Sequence, residues 1–101
     1  MNIYPLKKVS PTELRELFNK LEYWERAQRG EFKQIVLKNR HPSLPLANEP
    51  FCTKSQVVAY QDKRGRNVAI VHQYLRADGT LGLNGRPDPK RVLYNLELYY
   101  T

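Results

Sequence analysis

Between Ser10 and Arg29 the apolar residues Leu14, Leu17, Phe18, Leu21 and Trp24 recur at steps of three and four, the spacing that gathers side chains on one face of a helix. Ser10-Pro11-Thr12-Glu13 supplies a start, with a capping serine, a proline at the first helical position and a glutamate able to reach back. The pairs Glu16/Lys20, Glu22/Arg26 and Glu25/Arg29 add support at i,i+4. The spacing predicts an amphipathic helix over about residues 11–28, stopped at Gly30. A second, shorter helix is expected over 31–40, burying Phe32, Ile35 and Val36. Pro42, Pro45 and Pro50 forbid its continuation, so 42–55 reads as an extended connector.

Beyond it the period changes from 3.6 to 2. Gln56–Gln61 and Asn67–Arg76 are rich in Val, Ile and Tyr and flank the turn Asp62–Arg66, which predicts a hairpin. Gly79, Gly82, Gly85, Pro87 and Pro89 mark a loop over 77–91, long enough that a working role is expected of it. A last strand follows at Val92–Tyr100. The expected fold class is α+β in a single domain over 1–101: two N-terminal helices (within 1–41) packed on one face of a small C-terminal antiparallel sheet (56–101) of three to four strands. Pairing Gln61 with Asn67 puts Val57, Ala59, Ala69, Val71, Gln73 and Leu75 under the helices. The other face then carries Val58, Tyr60, Val68, Ile70, His72, Tyr74 and Arg76.

Composition narrows the function. Seventeen Lys and Arg against ten Asp and Glu give a net charge of +7, which favours anionic partners: nucleic acid or an acidic protein surface. Residues 54–91 hold eight of the cations and only three carboxylates, whereas the charges of 1–53 are largely arranged as helix pairs. The single Cys52 excludes an internal disulfide and is expected to be a small buried hydrophobe. With His41 and His72 it makes no metal-ligand spacing, so no metal and no cofactor are expected. Gly79–Gly85 lacks the Gly-Lys-Ser/Thr of a phosphate loop. Apolar runs fall far short of the roughly 20 residues that span a bilayer, and no signal-peptide core is present, so a cytoplasmic chain without a membrane partner is expected.

The candidate site follows from the sheet. His72, Tyr74 and Arg76 would project together beside Tyr60, next to a loop carrying Arg86, Lys90 and Arg91, with Lys63, Arg64 and Arg66 at the hairpin tip. Rings that stack on bases and cations that meet phosphates suit RNA or single strands better than a duplex groove. The expected function is therefore a small basic nucleic-acid-binding domain. A sharper form is a metal-independent ribonuclease with His72 as general acid or base and Arg76 on the phosphate. In element order alone, two helices followed by an antiparallel sheet is similar to the RelE and barnase-like toxin ribonucleases, and that likeness implies the same activity. The alternative is a non-enzymatic adaptor or inhibitor, of the phage or plasmid regulator type. It would bind one protein through the basic loop and the tyrosines Tyr23, Tyr99 and Tyr100, or pair two copies along an exposed edge at Tyr99 and Tyr100.

Overall fold

The computed structural model describes residues 3–41 and 48–101. Its centre is one six-stranded mixed sheet, in the order β1-β6-β5-β4-β3-β2, with two short helices on one face. The expected α+β arrangement of two helices over three to four antiparallel strands is thereby corrected. No helix among the described residues is long and apolar enough to cross a membrane.

Helix α1 (Pro11–Lys20) starts as its cap dictates: Glu13 N donates to Ser10 Oγ at 3.1 Å, and Ser10 N donates to Glu13 Oε1 at 3.3 Å. The predicted helix over 11–28 does not run through. Glu22 adopts a left-handed backbone (φ 55°, ψ 35°), and α2 (Tyr23–Gln28) begins after it. That kink resets the helical phase, which a straight 3.6-residue count cannot anticipate. Tyr23, expected on the exposed side as a partner anchor, turns inward; it is 7% exposed, and its hydroxyl donates to Leu93 O at 2.8 Å.

The expected helix over 31–40 is strand β2 (Lys33–Arg40). Only Phe32, just before it, is buried among the residues predicted to face inward, while Val36 is 49% exposed. Phe32, Ile35 and Val36 are spaced as a helix would need, but the β-branched pair Ile35-Val36 equally suits an edge strand, and here its backbone groups bond to β3 (Lys54–Gln61). The predicted hairpin of β3 and β4 (Asn67–Leu75) is present. Its turn is held by Asp62 Oδ1, which accepts from the N–H groups of Arg64 and Arg66 at 2.9 Å each.

The last expected strand is two. β5 (Asp88–Tyr94) and β6 (Glu97–Tyr100) meet at Asn95 and Leu96, both at positive φ (52° and 62°), the geometry of a tight hairpin turn usually signalled by Asn-Gly. β1 (Leu6–Lys8) then runs parallel to β6 and fills the edge at Tyr99 and Tyr100, which is therefore not exposed for pairing. The 77–91 loop is shortened by β5 and tied to β4 by Gly82 N donating to Tyr74 O at 2.7 Å. Cys52, expected to be buried, is exposed. Residues 42–47 of the predicted connector lie outside the described residues.

The core lies between the helices and one sheet face: Leu14, Phe18, Tyr23, Ala27 and Phe32 against Val58, Tyr60, Ala69, Val71 and Val92. Phe18 and Phe32 flank the Tyr60 ring at 6.2 and 6.5 Å. The expected division of the two faces is half wrong for a definite reason. Gln61 does pair Asn67, but an irregularity between Tyr60 and Gln61 shifts the ladder so that Tyr60 pairs Ala69 and Val58 pairs Val71. One extra residue moves β3 by one step and exchanges its faces.

Candidate nucleic-acid interface

The same registers define the face that no described helix or strand covers. Directly paired residues share a face, so one row across the sheet reads Lys8, Tyr100, Arg91, Ile70, Ala59 and Ile35. The next reads Asp88, His72, Val57 and Lys38, and a third Tyr74, Ser55 and Arg40. Lys8, Lys38, Arg40 and Arg91 are exposed there, while His72, Tyr74 and Tyr100 are half-buried. Lys38 and Arg40 were missed because their segment was read as a helix; the β-branched pair Ile35-Val36 was the available signal.

At the end of β4 not matched by β5, a cavity of about 480 Å³ opens, lined by Arg15, His72, Tyr74, Arg86, Asp88 and Lys90. Of the predicted site residues it gathers four: His72, Tyr74, Arg86 and Lys90. Asp88, within the expected 77–91 loop, starts β5 opposite His72 and bridges two cations, with Lys90 Nζ at 2.9 Å and Arg15 at 3.5 Å. The sequence reading found neither Arg15 nor an acidic group for His72, since α1 and β5 meet only in three dimensions.

His72 sits edge-on to the Tyr74 ring at 4.7 Å, and its Nε2 lies 2.8 Å from Ser55 Oγ on the neighbouring strand. Burial, then the charge of Lys90, hold the imidazole below its ordinary pKa, against the opposing pull of Asp88. The ring is accordingly neutral at pH 7 and can accept a proton.

Other predicted residues lie elsewhere. Tyr60 is on the covered face, fully buried, and burial raises its phenol pKa. Arg76 is used internally: its Nε donates to Glu49 Oε1 at 2.8 Å, and the same carboxylate accepts from Leu83 N at 3.0 Å. Gly82 makes room for this, since a Cβ there would meet the Glu49 carboxylate at 2.6 Å. Arg86 lies 4.6 Å over the Trp24 ring and donates to Glu25 at 2.9 Å and Asn19 at 3.1 Å, fastening the loop to the helices. Lys63 and Arg64 are exposed at the hairpin tip, and Arg66 is held by Asp62 at 2.8 Å. Tyr99 faces the helices, its hydroxyl donating to Glu97 at 3.0 Å.

Comparison with known proteins gives no counterpart: no family model matches the chain, and no curated protein or solved structure is significantly similar to it.

Proposed function

We propose that the chain binds single-stranded nucleic acid, RNA in preference, across the uncovered face of its sheet. The observation that carries this is the strand register, which puts Tyr100, His72 and Tyr74 on one face with Lys8, Lys38, Arg40 and Arg91. Rings set among cations suit a chain of bases joined by phosphates, because every base has a face to stack and every linkage a charge to neutralise. Titrating a fluorescent single strand over a salt series tests it. Affinity is expected to fall steeply, with a log–log slope of about −0.7 for each phosphate neutralised. Absence of binding at physiological salt, or capture of an acidic protein alone, removes the reading in favour of the adaptor.

A second reading, cleavage, is favoured by the neutral imidazole of His72 beside Arg15 and Lys90. The 2′-hydroxyl would give its proton to His72 as its oxygen attacks phosphorus, and the imidazolium would return a proton to the departing 5′-oxygen. Arg15 and Lys90 would stabilise the charge on the phosphoryl oxygens. Arg76 has no part in this version, being bound to Glu49. His72→Ala should cost cleavage at least about a hundredfold with most of the affinity kept; unchanged cleavage excludes His72 from the chemistry.

A further inference from the structure

The uncovered face holds a second cavity, unlike the first. It measures about 310 Å³ and is lined by Tyr4, Arg66, Ile70, Arg91, Leu93 and Leu98. Ile70, Leu93 and Leu98 give it an apolar floor, and two guanidinium groups stand with a phenol around it. Its volume lies at the small end of ligand-sized sites, and apolar walls with a few polar groups are the usual make-up of such a site. Arg66 is occupied by Asp62, but Arg91 is exposed and makes no ion pair or side-chain hydrogen bond with a described residue.

The two cavities are joined by an irregularity in the sheet. Ile70 pairs Arg91 and Val71 pairs Pro89, so Lys90 is an extra residue in β5. Bulges of this kind re-aim side chains and recur beside binding sites. Here Lys90 lines the cationic cavity and Arg91, its neighbour in the chain, lines the apolar one. On β4 the same division falls between Ile70 and His72, about 7 Å apart at the rise of a strand.

From this arrangement we infer a dinucleotide subsite, resting on the single-strand reading above: one base lies in the Ile70–Leu93–Leu98 slot, the linking phosphate sits at Lys90–Arg91, and the next base stacks at His72–Tyr74. Charge complementarity selects the occupant. An apolar slot alone takes any greasy group, and cations alone take any anion, but a flat apolar body tied to an anion that leads into a second ring-lined cavity describes a nucleotide step.

Methyl and imidazole NMR signals of the whole protein report on both halves. A ribodinucleotide with a 5′-phosphate should shift Ile70, Leu93, Leu98 and His72 together and bind about tenfold or more tightly than a mononucleotide, as expected when a second base stacks. Inorganic phosphate should leave the Ile70, Leu93 and Leu98 methyl signals unmoved. Ile70→Thr, which keeps the strand and reduces the floor, should narrow the difference between dinucleotide and mononucleotide, and Arg91→Gln should weaken both. Silent Ile70, Leu93 and Leu98 methyls while a longer single strand still binds would overturn the subsite and leave the broader reading standing. Failure of the longer strand to bind at all would overturn both.

Discussion

The two faces of the sheet share their backbone hydrogen bonds and differ in the alternate residues they present. Under α1 and α2 lie Val58, Tyr60, Ala69, Val71 and Val92, none more than 2% exposed. A step along each strand brings Val57, Ile70, His72 and Arg91 to the other face, where apolar groups form only a floor between rings and cations. Stability and, on the proposed reading, binding are therefore carried by interleaved residues of the same strands. Substitutions should separate the two properties by strand parity, and the comparison can be broken or sharpened on that basis.

The largest effect belongs to the covered face. Phe18→Ala removes a ring that is 1% exposed and touches both Tyr23 and Tyr60, and should cost about 3–5 kcal/mol in urea unfolding. A cost below about 1 kcal/mol would mean the helices are loosely docked. On the uncovered face the expectation is reversed. Lys38→Ala, Arg40→Ala and Arg91→Ala combined should lower single-strand affinity at least about tenfold, with each change altering stability by no more than about 0.5 kcal/mol. The same removal of Lys63 and Arg64 at the hairpin tip should change affinity less. Equal losses at tip and face would show diffuse attraction with no dedicated surface.

Smaller effects test single atoms. The buried Tyr60 hydroxyl has no hydrogen-bond partner among the described residues, so Tyr60→Phe should raise stability by about 1 kcal/mol without touching affinity. A drop in affinity would return Tyr60 to the binding surface. Leu96 holds a left-handed backbone in the β5–β6 turn and is 64% exposed, so Leu96→Gly should stabilise by up to about 1 kcal/mol.

The least change concerns pH. His72 has a folded pKa below its unfolded value near 6.5, so the unfolded chain takes up more protons there. Its contribution is complete above that value and is lost as pH falls below it toward the folded pKa. Thermal unfolding should show this decline, and His72→Gln should flatten it.

Local signals were legible where local chemistry decides the outcome. The Ser10 capping box and the Asp62–Arg66 turn each satisfy their own backbone groups within a few residues, and both formed as read. The candidate site was legible in part as geometry: His72, Tyr74, Arg86 and Lys90 line one cavity, while Arg76, Tyr60 and Tyr23 are engaged by other residues of the fold. Ser55 and Asp88 gained their places beside His72 only through cross-strand pairing, which has no fixed sequence separation.

From its residues alone the chain determined an excess of positive charge, a capped first helix, a central hairpin and a second half poorer in carboxylates. Tertiary structure decided the rest: that 33–40 became an edge strand, that β1 joined from the N-terminal end, that β5 and β6 separated at Asn95–Leu96, and which face each residue took. The reason is the two-residue period of a strand. Composition sets how much apolar and basic material there is, but one bulge or one left-handed residue exchanges inside for outside, and such shifts are settled by the packing of distant segments.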